Sequence, residues 1–352
     1  MEAGRRGWRP YQESGKGMDG SSGDLIPFQP LVLDEDGTAL VPRPRGPSEE
    51  ARKLRALADA PATLRAYAAD WRHFGVWCRS GGRQPLADLE PLETIVGDYL
   101  AAHEGQAIST LRRRVAAIVR QARIARLPFD TKHPHIRDVL RGAANKSTRD
   151  LRQAAALTTP DIQKLVDACG TDPAGLRDRA LILIGFAGAL RRSELVALEH
   201  KHVRWTAQGI VLRIARSKTD SDGKDIGIPH GRNERTCPTT HLRRWMEQAK
   251  IKDGALFRRV DRWGKPGRKP MSPGSVRLVL GKRAHAAGMV GSKLEPISPH
   301  GLRAGFITTA YGNGVADERI MEHTRQKSLE TMRGYVRRAR LNRDSPAGNV
   351  GL

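Results

Sequence analysis

From Thr63 onward, apolar residues recur at spacings of three and four. Leu64, Tyr67, Ala68, Trp71 and Phe74 form a single stripe, the mark of a helix that buries one face. A second helix is predicted to open at Pro91 and turn Leu92, Ile95, Val96 and Tyr99 inward. A third carries Ile108, Leu111, Val115, Ile118 and Val119, with Arg112, Arg113, Arg114 and Arg120 expected on its outer face. A shorter fourth runs from about Ile136 to Ala143. Four compact helices with arginines outside suit a small DNA-binding domain over residues 61–144. The same arginines equally suit an ordinary solvated face.

The pattern changes on either side of this block. Residues 1–50 are rich in Gly, Pro, Ser and charge, with one short apolar stretch, LIPFQPLVL, and the stretch 1–60 reads as a flexible arm. Residues 145–157 lack periodicity and read as a linker between domains. Helical signals resume at LTTPDIQKLV, with Thr159 as the expected N-cap and Pro160 in the first turn. ALILIGFAGAL, 180–190, is apolar on all sides and predicts a buried helix. GIVLRIARSKTDSDGKDIGIPH predicts two strands joined by a polar turn. Further helices are expected near 239–250, 272–288, 299–312 and 315–322, and a last one around Tyr335. This second domain spans 158–340, with a short tail over 341–352.

Charge narrows the function. The chain of 352 residues carries 61 Lys and Arg against 38 Asp and Glu, a formal charge of +23 spread over its whole length. A polyanionic partner is the first implication, and double-stranded DNA the natural one. A membrane partner is not expected, because the longest apolar run, Ala180 to Leu190, is too short to span a bilayer. The opening MEAGRRGWRP lacks the apolar core of a secretory signal. Cys78, Cys169 and Cys237 form no CxxC pair, which suits a reducing compartment. A soluble, cytoplasmic protein, at the nucleoid when bound to DNA, is expected.

Four stretches of the second domain offer chemistry. In GALRRSELVAL, Arg191 directly follows an apolar helix, and Glu194 three residues on can brace it. An ordinary helix-end ion pair has the same signature. In IARSKTDSDGKDI, Lys218 ends a strand before a flexible turn, where a mobile ammonium can protonate a leaving oxygen or simply be solvated. In ISPHGLRAGF, Ser298 and Pro299 suit a helix start, placing His300 in the first turn and Arg303 one turn on, at an end that already favours anions. In TMRGYVRRAR, one of only five tyrosines lies among arginines. A tyrosine hydroxyl is a poor nucleophile unless neighbouring charge and a base activate it.

The ordered set Arg191…Lys218…His300-x-x-Arg303…Tyr335 resembles the tyrosine recombinases, or phage integrase family, over residues 61–340. The resemblance implies a mainly α fold with a small β-sheet: an N-terminal helical core-binding (SAM-like) domain, then a mixed α/β catalytic domain. It implies a site-specific recombinase or integrase of a mobile element, working as a tetramer on paired DNA sites. Tyr335 would form a 3′-phosphotyrosyl link, Arg191 and Arg303 would clamp the phosphate, Lys218 would act as general acid, and His300 would assist proton transfer. Neither metal, other cofactor nor ATP is expected. One position departs from the family: Gln326 stands nine residues before the tyrosine, where His or Trp is usual. Gln still offers a hydrogen-bond donor. A type IB topoisomerase and a non-catalytic DNA-binding relative are the competing readings.

Overall fold

Proline marks many of the helix starts. The computed structural model describes residues 48–86, 90–148, 153–214 and 223–340. Of its helices, α2 (Pro61–Ser80), α5 (Pro134–Lys146), α7 (Pro173–Ala187), α9 (Pro238–Gln248), α10 (Pro273–Ala286) and α11 (Pro299–Gly312) all begin at a proline. At this position the missing N–H costs nothing and the fixed φ already suits the helix. The predicted periodicities form as helices, with α3 at Leu92–Ala101 and α4 at Ile108–Ile124. The first helical signal of the second domain is displaced by one residue: Thr158, not Thr159, is the N-cap of α6 (Thr159–Asp167). The Thr158 backbone N–H donates to Asp161 at 2.9 Å, closing the turn.

The chain has two compact units, Met1–Asp59 and Ala60–Leu352. Within the first, residues 49–57 form a helix, α1 (Glu49–Leu57), inside the stretch expected to be an arm. An exposed Glu49–Lys53 pair at 2.8 Å spans one of its turns. Residues 1–47 of that expected arm, and the expected tail over 341–352, lie outside the described residues.

The second unit holds three apolar clusters. Phe74, Ile95, Val96, Tyr99, Leu111, Ile118 and Ile136, from α2 to α5, close one of them. This cluster corrects the sequence reading of α4. Arg114 is buried at 8% exposure, not on the outer face. It lies three residues after Leu111 and four before Ile118, so helix geometry puts it on the apolar stripe. Its guanidinium lies 5.6 Å from the centre of the Tyr99 ring and its Nε 4.0 Å from Asp70. Asp70 also takes a two-point bond from Arg113, at 2.7 and 3.1 Å. Arg112 is exposed and Arg120 half-buried.

The largest cluster runs from Leu157 to Leu302 and contains the predicted buried helix: Ala180 to Ile184 of α7 are almost wholly covered. An antiparallel three-stranded sheet, β1 (Val203–Thr206), β2 (Gly209–Ile214) and β3 (Lys224–Pro229), packs here, with Ile210 opposite Ile228 and Leu212 opposite Ile226. A second hairpin, β4 (Arg258–Val260) with β5 (Pro266–Pro270), escaped the sequence reading. Its strands are charged and proline-bearing, so no apolar alternation announces them. Asp178 of α7 receives Arg177 at 2.6 Å and Arg283 of α10 at 2.7 Å, a buried ionic link that fixes α10 against the core.

The third cluster is small: Ile307 of α11, Ile320 of α12 (Asp317–Thr324), and Met332 and Val336 of α13 (Leu329–Arg340). It holds the helix that bears Tyr335.

The residues expected to form a plain linker do more than connect. Residues 153–157 run along α11 and the segment before it: Gln153, Ala155 and Leu157 donate backbone N–H bonds to Leu294, Pro296 and Gly301. Contact this close needs bare backbone on the helix. A Cβ on Gly301 would lie 2.3 Å from the Ala155 carbonyl oxygen, and one on Gly305 only 1.7 Å from that of Leu157. Two glycines one turn apart therefore let the strap lie directly on the helix that carries His300 and Arg303.

Candidate active site

The site grows from three helix ends. At the C-terminus of α7, Ala189 adopts a left-handed conformation (φ 45°), reversing the chain so that Arg191 can start α8 (Arg192–Ala197). Glu194 then braces Arg191 twice, taking its backbone N–H at 2.9 Å and Nη1 at 2.7 Å. The expected ion pair is present. The same carboxylate also accepts Nη2 of Arg325 at 2.7 Å. Burial works to raise the Glu194 carboxyl, but the Arg325 charge and the bonds from Arg191 outweigh it and hold the group below its ordinary value.

At the start of α11, Ser298 occupies the N-cap but makes no side-chain capping bond; its carbonyl takes the Gly301 N–H at 2.8 Å instead. His300 and Arg303 lie one turn apart, as expected. Nε2 of His300 and the Tyr335 hydroxyl form a hydrogen bond of 2.5 Å. The imidazole keeps an edge open to solvent, yet packing around the ring, followed by the charges of Arg303 and Arg191, lowers its pKa. A neutral imidazole at pH 7 can accept the tyrosine proton.

Arg303 is 2% exposed and spends both ends of its fork on main-chain carbonyls, Nη1 on Ala189 at 2.8 Å and Nη2 on Thr324. It thereby ties the end of α7 to the end of α12. Burial, then the charges of Arg191 and Arg325, pushes its pKa down to about 10, so it remains a cation at pH 7. His323 is turned away from this cluster: its Nε2 hydrogen-bonds the Ala187 carbonyl at 2.8 Å and its ring stacks on Phe306 at 4.7 Å. Gln326 follows Arg325, whose left-handed backbone (φ 57°) ends α12. The Thr324 hydroxyl donates to the Ile320 carbonyl at 2.7 Å, and its oxygen lies 3.3 Å from the Gln326 side-chain amide. Lys218 lies outside the described residues.

Next to these groups is an open cleft of about 530 Å³ lined by Arg191, Arg192, Arg277, Ser298 and His300. Three guanidiniums, of Arg191, Arg303 and Arg325, surround one carboxylate, Glu194, leaving a clear positive excess. Such an arrangement suits an anion with several oxygens.

Residues 155–341 match the model of the phage integrase family. An integrase/recombinase described as a XerD homolog, from Selenomonas ruminantium, is 31% identical over 335 residues, covering 91% of this chain and 96% of that protein. The chain belongs to the phage integrase family, the tyrosine recombinases. Solved tyrosine recombinases share its fold. A XerH site-specific recombinase bound to difH substrate superposes with a TM-score of 0.55 at 16% identity, over 84% of this chain and 83% of that one. A λ integrase tetramer bound to a Holliday junction gives 0.54 at 20% identity, over 81% and 74%. The mainly helical fold with small sheets expected from the sequence is therefore the integrase fold.

For a tyrosine recombinase, the sequence reading overlooked three arginines. Arg325 completes the Glu194 clamp, and only the chain reversal after α12 brings it there. Arg192 and Arg277 line the cleft, and nothing in their local sequence separates them from other surface cations. Among the described residues no helix is long and apolar enough to cross a membrane.

Proposed function

We propose that this recombinase cuts and rejoins double-stranded DNA through a covalent bond to Tyr335. The carrying observation is the 2.5 Å hydrogen bond between the Tyr335 hydroxyl and His300, beside a cleft lined by Arg191. The Tyr335 oxygen attacks a backbone phosphorus, its proton passing to His300, and the P–O bond to the 5′-oxygen breaks. A 3′-phosphotyrosyl link and a free 5′-hydroxyl result. Lys218, four residues past the end of β2 in sequence, protonates the departing oxygen. Because the phosphoester bond is conserved in the protein–DNA link, a 5′-hydroxyl attacking in reverse reseals the strand without ATP, and the chemistry asks for no metal.

Charge carries the middle of the reaction. Arg191 and Arg303 hold the non-bridging oxygens, Arg303 with the N–H groups that Ala189 and Thr324 leave free. Glu194 fixes Arg191, and Gln326 supplies the further donor that His or Trp gives elsewhere in the family. Preorganised donors of this kind are worth on the order of 10²–10³ in rate each. The helical part, 61–144, and the catalytic part, 158–340, together clasp the duplex, with Arg112, Arg113 and Arg120 facing phosphates; buried Arg114 supports that surface from within. Four subunits on two paired sites exchange strands, for a mobile element or for the chromosome, at the nucleoid.

Trapping tests the reading. DNA covalently held by the protein in cells is sequenced to find the site, which is then rebuilt as a nicked suicide duplex. Wild type should give a denaturation-resistant complex whose DNA-linked peptide contains Tyr335. Tyr335→Phe should bind the duplex and give none. A covalent band that persists in Tyr335→Phe refutes the assignment.

A further inference from the structure

The hairpin between β4 and β5 ends in the sequence Asp261-Arg262-Trp263-Gly264-Lys265. Trp263 stands at its tip with 75% of its surface in solvent. The tip is built, not loose. One oxygen of Asp261 accepts the backbone N–H groups of Trp263 and Lys265, both at 2.9 Å, and Gly264 takes the positive φ (81°) that the turn requires. The Arg262 guanidinium lies 4.2 Å from the centre of the indole. Arg259, Arg262, Lys265, Arg268 and Lys269 are all exposed, and none forms an ion pair among the described residues. The base is rigid as well: Phe257 is fully buried, and its carbonyl takes the Met271 N–H at 2.9 Å.

A lone exposed tryptophan is unremarkable on a protein surface. Here it is held on a fixed turn between cations that form no ion pair among the described residues, a combination suited to holding phosphates beside an aromatic face. The hairpin also leads straight into α10. Arg277, five residues past the Ser272 N-cap and thus roughly 8 Å along the helix, lines the cleft beside His300. We propose that this hairpin is a second DNA-contact element, a wing whose cations hold phosphates on both sides of a groove while Trp263 seats within it. The proposal rests on the strand-transfer reading for its duplex substrate. An anionic lipid surface is the weaker match, because Trp263 is the sole exposed large apolar side chain on the hairpin.

Binding of a fluorescent duplex carrying the site, measured across a salt series, tests the wing. Trp263→Ala should weaken affinity about tenfold at every salt concentration and leave the slope of log K against log salt unchanged, since no counterion is involved. Lys265→Gln combined with Arg268→Gln should lower that slope by about 2. Thermal melting should show both variants folded, as the altered side chains are exposed. Wild-type affinity in Trp263→Ala, or a wild-type salt slope in the double variant, overturns the wing. Trp263-dependent binding to vesicles of anionic phospholipid, without an effect on DNA, overturns it in favour of a membrane. Failure of the wild-type protein to form a covalent complex in the same preparation bears on the strand-transfer reading alone.

Discussion

Glu194 and Arg325, 131 residues apart in sequence, meet at 2.7 Å with both side chains less than a tenth exposed. Arg325 follows directly from the turn that ends α12, so this bond ties the segment bearing Gln326 to the start of α8. Removing one partner strands a buried charge, whose uncompensated burial costs on the order of 3–5 kcal/mol. Glu194→Ala is expected to lose about that much stability in urea unfolding, and Arg325→Ala a comparable amount. The double variant should be more stable than the sum of the two losses implies, by at least about 1 kcal/mol. Strict additivity would mean that the pair contributes no coupling.

The strap over α11 makes a prediction that runs against helix propensity. In an exposed helix interior, Gly→Ala normally stabilises by about 1 kcal/mol. Gly281→Ala in α10, where a Cβ meets nothing within 4 Å, should follow that rule. Gly305→Ala should reverse it, because the new Cβ falls 1.7 Å from the Leu157 carbonyl oxygen and backbone must shift. A loss of roughly 1–3 kcal/mol is expected, together with slower cleavage, since α11 carries both His300 and Arg303. Chemical denaturation of the two variants side by side checks the contrast.

Acid should weaken the fold before most carboxylates titrate. His73, His241, His300 and His323 all have pKa values below 6.5 in the folded chain, with burial the largest cause in each case. The unfolded chain therefore takes up protons first as pH falls. The stability these groups contribute is fully present above about pH 6.5 and is lost as pH drops through their folded values. Melting temperature should decline from pH 7.5 to pH 5, and a rise across that interval would contradict the lowered pKa values, above all at buried His241 and half-buried His323. In an NMR titration of the free protein, His300 should show a midpoint below 6.5.

Gln326 offers a gain-of-function test. Its amide lies 3.3 Å from the Thr324 hydroxyl oxygen, just past the turn that ends α12. Gln326→His should speed single-turnover cleavage several-fold with little change in DNA affinity, a rigid ring replacing a flexible chain. Gln326→Ala should slow it, by about a hundredfold or more if the donor is fully engaged. Equal rates for Gln and Ala would remove Gln326 from the site. His323 is a poor substitute, because its ring is committed to the Ala187 carbonyl and Phe306.

Much of this was legible in the sequence, and the misses have physical causes. Apolar periodicity located α2 to α5 because each buries a single stripe. The order of Arg191, His300, Arg303 and Tyr335 pointed to a candidate site because their order and spacing are written in the chain, and the fold brings His300 and Tyr335 into hydrogen-bond contact. Arg114 was misplaced because its charge suggested solvent, while its spacing from Leu111 and Ile118 already put it on the buried stripe. The β4–β5 hairpin is held by backbone bonds and the Asp261 turn, which leave no hydrophobic signature. The strap on α11 had one available sign, Gly301 and Gly305 a single turn apart in a helix, where glycine is otherwise costly.

The smallness of the third apolar cluster has a kinetic consequence. Met332 and Val336 are the buried apolar anchors of α13 in it, and at about 1.5–3 kcal/mol per side chain they bind the helix less firmly than a whole domain is held together. The amide protons of α13 should therefore exchange with solvent well before those of α7. Such early exchange would mark Tyr335 as part of a segment that opens and closes while the rest of the molecule stays folded. On the strand-transfer proposal, the fraction of time Tyr335 spends docked on His300 would then set a ceiling on the cleavage rate that no change to the arginines can lift.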